Sequence, residues 1–411
     1  MTNTLAIDFG TSNTAVAVLE RDGIRRIPVE SGADTLPTAV FFPASGGAMR
    51  VGNAASRALI EGEEGRYMRA LKSVLGTPLL HESRLIAGRR RTLADVITAF
   101  LAELRGRAES ATGLSHVRVL SGRPVHFHPD PARDARALAD LRACYHAAGF
   151  ETVGFMPEPE AAALACHRLG RTDGTGLIVD IGGGTSDFSV YRVADGRVRI
   201  LASHGIRLGG TDFDQTVSLT HAMPLLGHGS VLRRAMGPGL LPVPNAIYAD
   251  LSSWAHIPFV YTQENRRLAA QMARLAPDPA LLERLVTVLT DELGHDLAFA
   301  VERGKIAANA GMAARIDMGV VHPGLGAAVT DASLASALQS HGHSLRDALA
   351  ETVDRAGVAP DSLTDVVLVG GSSLMRLVTD LTAEVLPTAL LHRSEAFTAV
   401  VDGLALATAA E

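Results

Sequence analysis

The chain has 411 residues, of which 47% are hydrophobic and 20% charged, and its formal net charge is −6. This excludes a disordered polypeptide and a general nucleic-acid binder, and the length suits two or three domain-sized units. Two cysteines, Cys144 and Cys166, are too few for a disulfide framework and lack metal-ligand spacing. With no apolar run near the ~18 residues of a membrane span and no basic-then-apolar leader, a cytoplasmic protein with no membrane or nucleic-acid partner is expected.

Leu5-Ala6-Ile7-Asp8 is a short apolar run tipped by an acid. It is followed by Phe9-Gly10-Thr11-Ser12-Asn13 and a second run, Ala15-Val16-Ala17-Val18-Leu19. Strand, tight turn and strand are predicted, then a hairpin at Asp22-Gly23 and a third strand over 27–29. Helical spacing marks 93–108, Val117-Arg118-Val119-Leu120 reads as a buried strand, and 132–148 is an amphipathic helix stopped by Gly149. A short helix over 160–169 is entered through Pro159 and left at Gly170. Residues 177–203 then repeat the opening: Leu177-Ile178-Val179-Asp180, the turn Ile181-Gly182-Gly183-Gly184-Thr185-Ser186-Asp187, a strand, an Asp195-Gly196 hairpin and another strand. The second copy has two more glycines in its first turn. Repetition over this length predicts two related lobes, each opening with a strand meander. Residues 220–300 read as mostly helical, interrupted by Pro- and Gly-rich loops at 237–244 and 277–279. Val366-Val367-Leu368-Val369 is a further buried strand before Gly370-Gly371, and an alanine-rich helix spans 396–410. The alternation predicts an α/β fold with mixed sheets.

Three glycine turns thus follow three apolar strands: at Gly10-Thr11-Ser12, at Gly182-Gly183-Gly184-Thr185 and at Gly370-Gly371-Ser372-Ser373. Glycine lets backbone N–H groups close on an anion, and hydroxyls add donors. Asp8 and Asp180 would repel bare phosphate, so they imply a divalent cation between, and Mg2+ suits carboxylate, water and phosphate oxygens. Each turn alone could be an ordinary hairpin; the repeated acid-tipped pair with a third turn is more specific. No GxxxxGK[ST] sequence occurs, which excludes a P-loop. All but two of the 38 basic residues are arginine, and the exceptions are Lys72 and Lys305. Either the composition simply favours arginine, or two tight sites require a compact ammonium. His126, His128, His221, His228, His341 and His343 show no metal spacing and read as surface or loop residues.

These segments resemble the ATPase domain of DnaK-type heat-shock chaperones, within the actin, hexokinase and heat-shock ATPase superfamily. The first turn is similar to that family's phosphate-1 motif and 177–191 to its phosphate-2 motif. Glu158-Pro159-Glu160-Ala161-Ala162-Ala163 resembles its first connecting helix, and Leu208-Gly209-Gly210-Thr211-Asp212-Phe213-Asp214 its Leu-Gly-Gly-Glu-Asp-Phe-Asp stretch. Ala70-Leu71-Lys72-Ser73-Val74-Leu75-Gly76 resembles the segment with its catalytic lysine. Glu302-Arg303-Gly304-Lys305-Ile306 resembles its nucleoside-contacting helix, and 366–373 its adenosine motif.

The resemblance implies a two-lobed actin-like ATPase fold, each lobe with a mixed five-stranded sheet flanked by helices. Lobe I would be 1–170 completed by 392–411, and lobe II 171–391. It implies binding of ATP or ADP with Mg2+, with K+ as a further ion, and slow hydrolysis by in-line attack of water coupled to lobe closure. Asp8 and Asp180 would hold the metal through water, and Gly10, Thr11, Ser12, Asn13, Gly182, Gly183, Gly184 and Thr185 would cradle phosphates. Lys72 would sit near the γ-phosphate, with Glu158 and Asp187 ordering the attacking water or the metal shell. Locally, Glu158 also reads as a carboxylate meeting a helix N-terminus, worth roughly 0.3–1 kcal/mol, and Asp187 as a turn cap. Gly209, Gly210, Glu302, Lys305, Asn309, Gly370, Gly371, Ser372 and Leu374 would complete the nucleotide site. Three departures stand out: Leu374 occupies the position of the family's adenine-stacking arginine, with Arg376 two residues on; Ser394 replaces an aspartate; and the resemblance stops at the last helix, so that no peptide-binding domain is expected. A protein partner, such as a co-chaperone or an exchange factor, would read the nucleotide state. The superfamily also holds nucleotide-gated actin-like filament or scaffold proteins and small-molecule kinases, and both remain alternatives.

Overall fold

The computed structural model describes residues 4–30, 32–168, 174–194, 197–393 and 398–410. Ser394, the Asp195-Gly196 hairpin, Gly170 and the expected helix start at Ala396 lie outside them. The chain divides into two compact units, Met1–Gly210 with His343–Glu411, and Thr211–Gly342.

The first unit holds two large mixed sheets. One contains β1 (Thr4–Phe9), β2 (Asn13–Glu20), β3 (Gly23–Arg26), β4 (Thr35–Pro37), β5 (Arg118–Arg123) and β6 (Thr152–Pro157). Its order is β6-β5-β1-β2-β3, with the short β4 also paired to β2. The other contains β7 (Gly174–Ile181), β8 (Ser186–Ala194), β9 (Arg197–Ile206), β10 (Asp365–Val369) and β11 (Leu390–His392), in the order β9-β8-β7-β10-β11. In both, a three-stranded antiparallel meander is extended by two parallel strands on its first member. The internal repeat is therefore one of topology as well as of sequence. Leu5, Ala6 and Ile7, like Leu177, Ile178 and Val179, are fully buried, as continuous apolar strands covered on both faces must be.

Two helices, Glu158–Arg168 and Ala399–Ala407, join the two sheets in one apolar core. That core gathers Ala6, Ala15, Ala17 and Leu120 with Ile178, Tyr191, Val367 and Val369 around Ala161, Ala162, Ala163, Val401 and Leu404. Small side chains allow the helix backbones to meet: a Cβ on Gly403 would overlap the Ala161 carbonyl. The helix Leu93–Thr112 is fixed at its start by a capping box between Thr92 and Asp95 and ends at Gly113 with φ 69°, which satisfies terminal N–H groups and permits a left-handed stop.

The second unit is helical around Ala246–Leu251, Gln263–Leu275, Pro279–Thr290 and Gly294–Asn309. Two hairpins join them, Val231–Arg233 with Leu240–Pro242 and Ala314–Asp317 with Gly326–Val329.

The expected third strand over 27–29 is corrected: the meander ends at Arg26, because Pro28 has no N–H for the ladder, while Ile27 and Val29 stay buried. The expected loop over 237–244 contains a strand, Leu240–Pro242. His341 and His221 are partly buried, not surface residues; their rings meet the hydroxyls of Thr216 (2.7 Å) and Ser333 (3.0 Å). Among the described residues no helix is long and apolar enough to cross a membrane.

Candidate active site

The site begins with backbone that admits no side chains. Gly10 opens the β1–β2 turn, where a Cβ would strike the Asn13 carbonyl oxygen. In the β7–β8 turn, Gly182 N–H donates to the Thr185 carbonyl (3.0 Å), and the Gly182 carbonyl accepts Gly210 N–H (2.9 Å). The two turns face each other. A Cβ on Gly183 would lie 2.5 Å from Ser12 Oγ and 3.0 Å from Thr11 Cβ, and one on Gly184 would lie 3.3 Å from Thr11 Oγ1. Gly209 is pressed against the same turn, its would-be Cβ 2.6 Å from the Gly183 carbonyl carbon and the Gly184 nitrogen. Gly210 abuts Ser372 Oγ, and Gly370, at φ 78°, abuts the Ile181 carbonyl and lies close to Asp180 Oδ1. All three predicted glycine turns and the Gly209-Gly210 segment thus converge in the first unit.

Charge collects at the same place. Asp180 and Asp187 are opposite each other in the β7–β8 register and both are buried; Asp8, near the end of β1, is partly buried. Lys72 comes in on the 3-10 turn Leu71–Val74, entered through Ala70 in a left-handed conformation at φ 59°. Its Nζ lies 2.6 Å from Oε1 of Glu158, the first residue of the helix after β6, and 7% of Lys72 is exposed. Asp187 accepts the Val125 N–H through Oδ1 at 2.8 Å.

Four carboxylates therefore surround one ammonium. Burial, then the neighbouring Glu158 carboxylate, push Asp8 up to about 7, with Lys72 only partly offsetting them. Burial and Glu158 likewise push Asp187 up to about 8 against the stabilising Val125 N–H. Asp180 is raised well above the ordinary carboxylate range by burial and by Glu158, Asp187 and Asp8. Burial disfavours the Lys72 ammonium, but Glu158 and Asp8 outweigh it, so its pKa rises and it stays charged. A buried excess of anionic oxygen is costly unless a cation joins it. The donor set is all oxygen, which fits Mg2+. Among the described residues no three His, Cys, Asp or Glu side chains form a protein cage for a metal.

A family model described as Hsp70 protein matches residues 82–224. The chaperone protein DnaK of Thermosipho melanesiensis (strain DSM 12029 / CIP 104789 / BI429) is 34% identical over 218 residues, 52% of this chain and 34% of the relative. DnaK of Thermosipho africanus (strain TCF52B) is 33% identical over 217 residues, again 52% and 34%. Over these segments the chain is similar to Hsp70 proteins. The aligned part spans about a third of the length of these relatives. This similarity supports a chaperone-like nucleotide-binding domain. The family match includes Glu158, the β7–β8 turn and Gly209-Gly210. Asp8, Lys72 and the Gly370 turn lie outside it and are joined to the site by the packing just described.

The remaining Hsp70-like positions divide between the units. In the first, Gly371, Ser372 and Leu374 form the 3-10 turn Gly371–Leu374 after β10, and Ser373 Oγ donates to the Gly370 carbonyl at 2.7 Å. Leu374 is partly buried. In the second, Glu302, Lys305 and Asn309 lie on the helix Gly294–Asn309. Lys305 is buried, its Nζ 2.6 Å from Asp214 Oδ1, and Trp254 Nε1–H donates to Asp214 Oδ2 at 3.1 Å. The sequence reading gave Asp214 no partner of its own. It also missed Gly122 and Gly205, where a Cβ would crowd the Glu158 side chain (3.1 Å to Cγ) and meet Asp187 Oδ1. An isolated glycine within a strand is the signal for such close approach.

Proposed function

We propose that the chain binds ATP with Mg2+ and hydrolyses it slowly by in-line attack of water on the γ-phosphate. The reading is carried by one observation: two acid-tipped glycine turns close on each other beside a buried Lys72–Glu158 ion pair. Backbone N–H groups of Gly183 and Gly184, with the hydroxyls of Thr11, Ser12 and Thr185, bind the phosphates. Lys72 stabilises charge on the transferring phosphoryl group, where a fixed cation in a water-poor site has its largest effect. Glu158 holds that ammonium in place, and Glu158 and Asp187 orient the attacking water. Mg2+, when bound, would neutralise phosphate oxygens, with Asp8 and Asp180 holding its water ligands. Within the first unit, Gly370, Gly371, Ser372 and Leu374 serve the nucleoside.

Because Thr11 and Ser12 approach Gly183 and Gly184 from a separate sheet, a triphosphate held between them would couple its γ-phosphate to the closure of the two turns. A protein partner, a co-chaperone or an exchange factor, would read that change. Turnover of radiolabelled ATP, with Lys72→Ala as control, tests the proposal. Equal turnover in the variant would remove the role given to Lys72.

A further inference from the structure

From residue 215 to residue 249 the sequence has no aspartate or glutamate, in a chain that contains 44 of them. Within this run, in the second unit, Val231–Arg233 and Leu240–Pro242 pair as an antiparallel hairpin with Arg233 opposite Leu240 and Leu232 opposite Leu241. Arg234 N–H donates to the Gly239 carbonyl (3.2 Å) and Val243 N–H to the Ser230 carbonyl (3.1 Å), which closes the hairpin at both ends. Leu232 and Val243 are buried and anchor it. Every residue from 233 to 242 is exposed, with Met236 at 89%, Leu240 at 56% and Leu241 at 46%, and Val231 is exposed beside them. Single apolar residues on a surface need no explanation, but four on one short hairpin mark an interaction surface. Arg233 and Arg234 are its only charged residues, and neither makes an ion pair among the described residues.

We propose that this hairpin docks a segment of a protein partner that combines apolar and acidic side chains. Methionine and arginine are enriched at protein interfaces, and the unopposed arginines set the sign of the partner's charge. An anionic bilayer fits less well, because basic segments that hold to such a surface use clusters of roughly four to eight cations, and this hairpin has two. A second copy related by a twofold axis would set these arginines against themselves, with no acid in the surrounding run to receive them. The proposal is independent of nucleotide binding.

The test is selection from a random-peptide display library on the full chain, followed by fluorescence anisotropy with the selected peptides. The expected peptides are rich in Asp or Glu alongside Leu, Ile or Phe. Their affinity falls at least tenfold in Arg233→Glu/Arg234→Glu and in Met236→Ser/Leu240→Ser, with the melting temperature unchanged in both. Selected peptides without acidic enrichment, or binding untouched by both double variants, would overturn the proposal. Hairpin-dependent sedimentation with phosphatidylglycerol–phosphatidylcholine vesicles, or hairpin-dependent self-association in the ultracentrifuge, in place of peptide binding, would overturn it as well.

Discussion

The two large sheets of the first unit share one strand plan but differ in their first turns. The β1–β2 turn has one glycine before Thr11 and Ser12, whereas the β7–β8 turn has three before Thr185. The packing explains the difference. Thr11 and Ser12 lean into the space that side chains at 183 and 184 would fill, so one turn supplies hydroxyls and the other bare backbone. Two sheets with one strand plan thus differ at the point where their first turns meet. The acids differ too: Asp8 is partly open and raised to about 7, while Asp180 is more buried and has three carboxylates acting on it.

The largest effect should come from the charge that both turns share. Lys72→Ala should lower ATP turnover by about 100-fold or more, and Asp180→Asn should do the same, as read by phosphate release at saturating ATP. Next come the glycines, which separate the two turns. Gly183→Ala puts a methyl against Ser12 and Thr11 and should weaken nucleotide binding about tenfold, with a nearly unchanged melt. Gly10→Ala strikes the backbone of Asn13 and should destabilise the apoprotein by about 1–3 kcal/mol. If Gly183→Ala instead unfolded the protein and Gly10→Ala did not, the contrast between a ligand turn and a structural turn would be reversed.

A smaller effect follows from pH. Burial, then the Glu158 carboxylate, hold the folded pKa of Asp187 up at about 8, well above the ordinary carboxylate value of 3.8. A raised acid costs the folded state nothing below the unfolded pKa, and the cost grows with pH until it is complete above the folded pKa. Asp187→Asn should therefore stabilise the nucleotide-free protein, by about 1–2 kcal/mol at pH 8.5 and by little at pH 4, in urea melts with EDTA. Smallest should be the influence of the shared core between the sheets on chemistry: Gly403→Ala, forced against the Ala161 backbone, should cost about 1–3 kcal/mol of stability yet leave turnover per folded molecule within about twofold.

Much of this was legible in the sequence because it is written locally. Short apolar runs ending in Asp and followed by Gly and hydroxyl residues fix strand, turn and sheet plan together, and the repeat made the second copy visible. The errors were also local in origin. Ile27 and Val29 are buried like strand residues, but Pro28 between them cannot pair, and the prolines and glycines of 237–244 masked a hairpin strand. What could not be read were pairings made by the fold alone. Lys72 meets Glu158 across 86 residues. Lys305 is held by Asp214, which also accepts the indole N–H of the chain's single tryptophan, Trp254. The space left by Gly122 and Gly205 has meaning only once Glu158 and Asp187 arrive beside them.

Isothermal titration of Mg·ATP into the purified chain addresses the paired turns most directly. A saturable heat with one nucleotide per chain, lost in Asp180→Asn and absent when EDTA replaces Mg2+, is the predicted result. A flat titration with folded protein would contradict the assignment of the two acid-tipped turns to a magnesium nucleotide.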